Sequence, residues 1–265
     1  MADENKQPEA PTTESGESTQ TAAEAYHARR GVYLIPNLLT TTALFAGFYA
    51  IVAAIKGDFS NAAVAIFVAM IFDGLDGRVA RMTHTQSDFG AQYDSMSDLV
   101  AFGVAPAVVA FLWSLDSLGN LGWAAAFVYV AGAALRLARF NTQISTTDKR
   151  FFVGLASPAA AAIVAGSVWA FSELNVEGTE LAFLMVILVS AVGCLMVSNV
   201  RYWSFKEVGV KGRIPFTALL LIIMAFVVVA LDPPVVLLLL AFAYAASGPI
   251  MEGWRKLKRR GGAAE

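Results

Sequence analysis

Charge is what this sequence has least of. Only 15% of its 265 residues are Asp, Glu, Lys or Arg, where a soluble domain carries nearer a quarter. The hydrophobic share is 57% and the mean hydropathy +0.60, so most of the surface faces something other than water. Cysteine is almost absent too. The lone Cys194 stands in an apolar run; it excludes an intrachain disulfide, and without a CxxC pair it excludes a thiolate metal site. It reads as a small packing residue. No Gly-rich phosphate loop is present, which argues against ATP-type cradling of phosphates. No internal repeat is visible, and no nucleic-acid partner is expected. The first residues have no basic start followed by an apolar stretch, so they do not read as a secretory signal peptide. Residues 1–25 are rich in Glu, Thr, Ser and Gln. They hold too little apolar surface to fold and are expected to form a disordered polar tail.

Long hydrophobic runs are what the chain does have. A bilayer's hydrocarbon core is crossed by about 20 mostly apolar residues in a helix. Eight such runs follow the tail, at approximately Ile35–Ile55, Asn61–Met82, Ser95–Ser114, Gly122–Leu137, Phe152–Phe171, Leu181–Val197, Phe216–Leu231 and Pro234–Met251. They show almost no amphipathic period, which argues against a large soluble helical core. The expected fold is therefore all-α. It is a polytopic integral membrane protein of about eight transmembrane helices, with a membrane domain over 26–251 and a basic tail over 252–265.

The few basic residues set an orientation. Short cytoplasmic loops carry Lys and Arg. Arg29 and Arg30 precede the first run, Arg78 and Arg81 end the second, and Arg136, Arg139, Lys149 and Arg150 follow the fourth. Arg201, Lys206, Lys211 and Arg213 follow the sixth, and five basic residues follow the eighth. The third, fifth and seventh connections carry none, and the first carries only Lys56. An even number of spans with both termini cytoplasmic puts every Lys and Arg except Lys56 on one side. The expected location is an inner (cytoplasmic) membrane, crossed many times, with the active site facing the cytoplasm. The C-terminal basic cluster would then lie against anionic lipid head groups.

Against this background two aspartates are out of place. Asp73 and Asp76 interrupt the second run, and Asp73 lies about 12 Å deeper than Arg81 along a helix. A carboxylate near the bilayer centre costs at least roughly 2.5 kcal/mol, so it requires a partner. Asp94 and Asp98 open the third run. Spacings of three and four put each pair on one helical face, and the short connection makes the two helices antiparallel neighbours. Four carboxylates aimed at one volume repel unless cations sit among them. Oxygen ligands favour Mg²⁺, Mn²⁺ or Ca²⁺ over zinc, and a pair of such ions suits phosphoryl chemistry. Gly77, Ala80 and Gly90 remove bulk beside the carboxylates, and Arg81 offers a planar donor to phosphate.

The run Asp76-Gly77-Arg78-Val79-Ala80-Arg81, followed after eight residues by Gly90 and then by Asp94 and Asp98, matches the fixed positions of the CDP-alcohol phosphotransferase signature. Asp73 takes the additional acidic position upstream. Further stretches resemble the bacterial integral-membrane phosphatidylserine synthase subfamily: IPNLLTTTALFAGFYAI, AGAALRLARFN, GLASPAAA and MVSNVRYWSFK. Ala43 departs from the Asn often found there in relatives.

The resemblance implies a dinuclear metal site at Asp73, Asp76, Asp94 and Asp98, and CDP contacts at Asp76, Gly77, Ala80, Arg81 and Gly90. It also implies Asp98 as general base, CDP-diacylglycerol and L-serine as substrates, and a homodimer. Arg136 and Arg139 share a helical face, which suits clamping an anion. With Asn141, Arg201 and Lys206 they are candidates for phosphate or serine-carboxylate recognition, against the plainer reading of topology-setting charge. A sister transferase acting on glycerol 3-phosphate or an inositol phosphate is the nearest rival. An ion-coupled transporter is the remote one, since its polar residues would thread both halves of the membrane.

Overall fold

A computed structural model describes residues 15–83, 85–143, 151–203 and 216–261. Among these the chain forms α1 (Ser15–Ile55), α2 (Phe59–Met82), α3 (Asp88–Asp98), α4 (Ala105–Trp113), α5 (Asn120–Gln143), α6 (Ser157–Glu173), α7 (Ala182–Val197), α8 (Phe216–Leu231) and α9 (Pro233–Gly261). A π-helical turn, Leu99–Val104, fuses α3 and α4 into one rod. Each of the eight apolar runs falls largely within a helical rod. Five segments are long and apolar enough to cross a membrane: Leu34–Ile55, Asp88–Trp113, Asn120–Thr142, Gly178–Val197 and Pro233–Trp254. The architecture is that of a multi-pass helical membrane protein.

Helix ends differ from the apolar boundaries in instructive ways. The third rod begins at Asp88 rather than Ser95, because Ser87 caps it by accepting the Gly90 N–H at 3.0 Å and Asp88 complements the positive N-terminus. Helix α1 takes in residues 15–25 of the expected disordered tail; that stretch holds Glu17, Ala22, Ala23, Glu24 and Ala25, good helix formers even where they cannot build a core. Helix α9 runs through the basic cluster to Gly261. The fifth run starts not as helix but as β1 (Phe151–Val153), which pairs antiparallel with β2 (Arg201–Trp203). This short ribbon is the one departure from an all-helical fold among the described residues. It forms because Gly154 takes φ +84°, donates its N–H to the Val200 carbonyl at 2.8 Å, and lies so close to the Met196 carbonyl that a Cβ would collide with it.

On α1 and α2 most buried side chains are alanine, and many large apolar side chains of the bundle lie outward. Ala43, Ala46, Ala50, Ala53 and Ala54 of α1 are buried, as are Ala62, Ala63, Ala65 and Ala69 of α2. Phe45, Phe48, Trp123, Phe127, Phe183, Ile187 and Phe226 are exposed. Water would penalise that distribution. A bilayer favours it, since helices that gain nothing from burying Leu in one another associate by close backbone packing. Helix α6 is the central element, with Ile163, Val164, Ala165, Gly166, Ser167 and Val168 all buried. Helices α5 and α7 cross closely, since a Cβ on Gly132 would stand 2.5 Å from the Gly193 carbonyl oxygen.

Cross-links gather the connections at two ends. At one end, Asn141 of α5 bonds Ser95 of α3 at 3.0 Å, and Arg139 bonds Asn199 beyond α7 at 2.8 Å. At the other, Ser114 after α4 donates to the Gly178 carbonyl at 2.6 Å, and Trp113 stacks on Phe171 at 6.4 Å. The first end carries Arg78, Arg81, Arg136 and Arg139; the second carries Asp116, Glu173, Glu177 and Glu180.

Overpacking a helix crossing costs about 1–3 kcal/mol. Gly132→Ala is therefore expected to lower the melting temperature of the purified chain. Gly253→Ala, whose new methyl meets nothing within 4 Å, is expected to leave it unchanged or raise it. Equal melting of the two variants would refute the close α5–α7 approach.

Candidate functional site

The acidic pairs meet where α2 ends and α3 begins. Helix α2 presents Asp73 and Asp76 one turn apart, and α3 presents Asp94 and Asp98 in the same way. One carboxylate oxygen from each of Asp73, Asp76 and Asp94 lies within 4.8 Å of the other two. Asp98 adjoins this triad, its carboxyl group close beside that of Asp73. Asp76 is buried at 5% exposure and accepts a 2.6 Å hydrogen bond from the Thr40 hydroxyl of α1. The π-helical turn sits directly behind Asp98. It is pinned by the fully buried Tyr129, whose hydroxyl donates to the Phe102 carbonyl at 2.9 Å. Insertions of this kind concentrate at functional sites, and here the turn changes the phase of the rod between its acidic and its apolar half.

Arg136 faces the acids from α5, close enough to Asp98 and to Tyr244 of α9 for direct electrostatic interaction. Its Nη1 donates to the buried Ser157 hydroxyl at 2.6 Å, and its Nε is buried without a partner among the described residues. Arg139, three residues on, goes elsewhere. Its guanidinium donates to the Val197 carbonyl at 3.3 Å and to Asn199 Oδ1, at the C-terminal end of α7. Asn141 joins Ser95, the neighbour of Asp94. Arg201 contributes to the fold through the backbone of β2, and Lys206 lies outside the described residues.

The remaining signature positions line the open side. Gly77 is exposed and a Cβ there would touch nothing within 4 Å, so a ligand can approach the α2 backbone. Ala80 is half-buried on the same helix. Arg81 turns its Nε back to the Gly77 carbonyl at 2.9 Å. Gly90 lies opposite α1, where a Cβ would stand 3.5 Å from Asn37 Oδ1. Sequence reasoning missed Thr40, Ser97, Tyr129, Ser157 and Tyr244. Threonines and serines in an apolar helix ordinarily bond their own preceding turn, so nothing in their spacing announces a role.

The donor set fits a divalent cation. Like charges this close persist only with protons or cations among them. The donors are all carboxylate oxygen, the chemistry that suits Mg²⁺ or Mn²⁺.

The family model for CDP-alcohol phosphatidyltransferases matches residues 33–173, more than half of the chain and all four aspartates. The chain belongs to that family. Similar proteins include the CDP-diacylglycerol–serine O-phosphatidyltransferase of Helicobacter pylori, 40% identical over 75% of this chain and 83% of the relative. The protein of the same name from Mycobacterium leprae is 35% identical over 77% of this chain and 70% of the relative. The archaetidylserine synthase of Methanothermobacter thermautotrophicus is 33% identical over 63% and 69%. The resemblance drawn from the signature alone is thus borne out at the level of the family.

A ligand present at a hundred times its Kd stabilises a protein by about 2.7 kcal/mol. Adding Mn²⁺ to the detergent-purified chain is expected to raise its melting temperature, and EDTA to reverse the rise. Asp73→Asn combined with Asp94→Asn is expected to abolish it. An undiminished rise in that double variant would move the metal elsewhere.

Proposed function

We propose that this chain transfers the phosphatidyl group of CDP-diacylglycerol to the hydroxyl of L-serine, giving phosphatidylserine and CMP. The observation that carries the reading is the convergence of Asp73, Asp76, Asp94 and Asp98 inside a signature spacing that the family shares, in a chain whose relatives are named for this reaction. Asp73, Asp76, Asp94 and Asp98 would hold divalent cations, Mg²⁺ or Mn²⁺ and two in number, which supply positive charge to a diphosphate. Asp98 takes the proton of the serine hydroxyl, as its place beside the triad and before Arg136 allows. The serine oxygen then bonds to the phosphorus that carries the diacylglycerol. The bond from that phosphorus to the bridging oxygen breaks, and the electron pair leaves with CMP. Gly77, Ala80 and Gly90 admit the CDP moiety to the backbone, and Arg81 donates to its phosphates. Arg136 meets the anionic end of the acceptor.

The same reading sets the chain in a membrane as eight spans with both termini cytoplasmic. Its support is the gathering of the arginines at the acidic end and of acidic residues at the other, which follows the bias of cytoplasmic loops toward Lys and Arg. In a bacterium that membrane is the inner one, with the acyl chains in lipid and the head groups in a polar opening toward the cytoplasm. Homodimerisation belongs to the same reading and rests on the family resemblance.

The acceptor assay tests the function. With CDP-diacylglycerol in mixed micelles, CMP release is expected with L-serine and not with glycerol 3-phosphate or inositol phosphate. It should stop with EDTA and resume with Mn²⁺ or Mg²⁺. Release driven by glycerol 3-phosphate instead would reassign the acceptor within the family. General-base contributions run at about 10²–10⁴-fold. Asp98→Asn is expected to lose turnover by at least about 100-fold while part of the CDP-lipid binding survives. Retained turnover would remove Asp98 from the base role.

A further inference from the structure

Three threonines follow one another in the first apolar rod, and one of them reaches a carboxylate of the acidic site. Thr41 and Thr42 lie 2.7 and 2.9 Å from the carbonyls of Asn37 and Leu38, the usual back-bond of a hydroxyl in a helix, and Thr41 also lies 2.9 Å from the Tyr93 hydroxyl of α3. Thr40 is 3.1 Å from its own back-bond partner, the Pro36 carbonyl, and 2.6 Å from Asp76 Oδ2. A hydroxyl has one proton. The shorter contact, to a carboxylate that can only accept when ionised, takes it. Thr40 is at 4% exposure and Asp76 at 5%, so water does not compete for the bond.

The link continues into the other acidic helix. Ser97 stands between Asp94 and Asp98 in sequence and is buried at 3% exposure. Its hydroxyl donates to the Thr40 backbone carbonyl at 3.1 Å. One residue of α1 therefore touches both helices that bear the carboxylates, by its side chain on α2 and by its carbonyl on α3. Close helix packing keeps this bridge in place, since a Cβ on Gly47 of α1 would stand 2.7 Å from Ala101 Cα in the π-helical turn.

From this we infer that Thr40 is a positioning residue for the acidic site, holding Asp76 by one oxygen in the orientation that cation binding needs and fixing the spacing of α2 and α3 through Ser97. The inference rests on the metal-dependent reading above and extends it to a residue outside the signature. Partners that orient a ligand side chain typically change metal affinity by 10–100-fold when removed. A hydroxyl lost from such a bond leaves Asp76 free to turn, and the binding free energy then includes the cost of fixing it again.

The test is calorimetric titration of the metal-free, full-length chain in detergent with Mn²⁺ alone, with melting temperatures measured before metal is added. Thr40→Val keeps the shape and removes the hydroxyl. It is expected to weaken Mn²⁺ binding by about 10-fold or more, and the metal-free chain is expected to remain folded with a somewhat lower melting temperature, since a buried acceptor loses its donor. Thr40→Ser, which keeps the hydroxyl, is expected to restore most of the affinity. If Thr40→Val does not purify as folded protein, Thr40→Ala carries the same expectation. Undiminished Mn²⁺ affinity in the hydroxyl-free variant overturns the inference, and so does a serine variant that binds as poorly as valine. An unaltered chain that binds no Mn²⁺ at all, as Asp76→Asn is expected to behave, would sink the metal-dependent reading itself.

Discussion

Four carboxylates crowded at one end of an apolar bundle repel one another, and each loses water on being placed there. Both terms act against folding, so the site persists only where its surroundings offer compensation of opposite sign or matching hydrogen bonds. The described structure supplies some. Thr40 donates to Asp76, and Arg136 faces Asp98. These contacts account for some lone pairs and one compensating charge, and they leave a concentration of negative charge that a divalent cation is suited to occupy. Protons or a divalent cation must neutralise what remains.

The bundle is built so that this concentration of charge has rigid walls. Alanine and glycine at the helix contacts bring backbones close, which fixes the helices more tightly than larger and more flexible side chains would. The rod from Asp88 to Trp113 serves two environments, with a polar first half and an apolar second half. The π-helical turn between them lets each half present its own face, and Tyr129 satisfies a carbonyl within the turn. Around the same end, the β1–β2 ribbon, the Asn141–Ser95 pair and the Arg139–Asn199 pair tie together connections distant in sequence. Irregular backbone of this kind is tolerated near a membrane where protein or a polar opening satisfies it.

The sequence makes legible whatever depends on composition and on spacing within one helix. Apolar runs marked the helical rods, and carboxylates three or four apart marked two faces that do converge. What composition could not mark is where hydrogen bonding carries a helix past its apolar stretch. The rod from Asp88 begins two turns earlier than hydrophobicity indicates because a serine cap, not burial, starts it. The fifth run opens as strand because Gly154 can adopt a positive φ and approach a carbonyl of α7, a contact between segments some forty residues apart. Pairings of that range leave no periodic trace. The same holds for Thr40, whose neighbours Thr41 and Thr42 look identical to it in sequence and differ only in what lies opposite.

Arg136 and Arg139 show the same limit at the point where it matters most for the acceptor. Three residues apart on one helix, they read as a single anion clamp. A three-residue step turns a helix by about 300°, leaving side chains roughly 60° apart around the axis. In a crowded bundle that angle is enough to face different neighbours. Arg136 turns inward to Asp98 and Ser157, while Arg139 turns to the end of α7, where a cation suits the negative end of the helix. One guanidinium, rather than two, therefore faces Asp98 from α5, and its Nε is not committed to any described group. A phosphate dianion brought to this place would add two negative charges to the carboxylates already there. A zwitterionic amino acid adds none in sum, and its single carboxylate matches a single guanidinium. On the proposed reading, in which the acceptor meets Arg136, charge balance there favours serine over a phosphorylated alcohol.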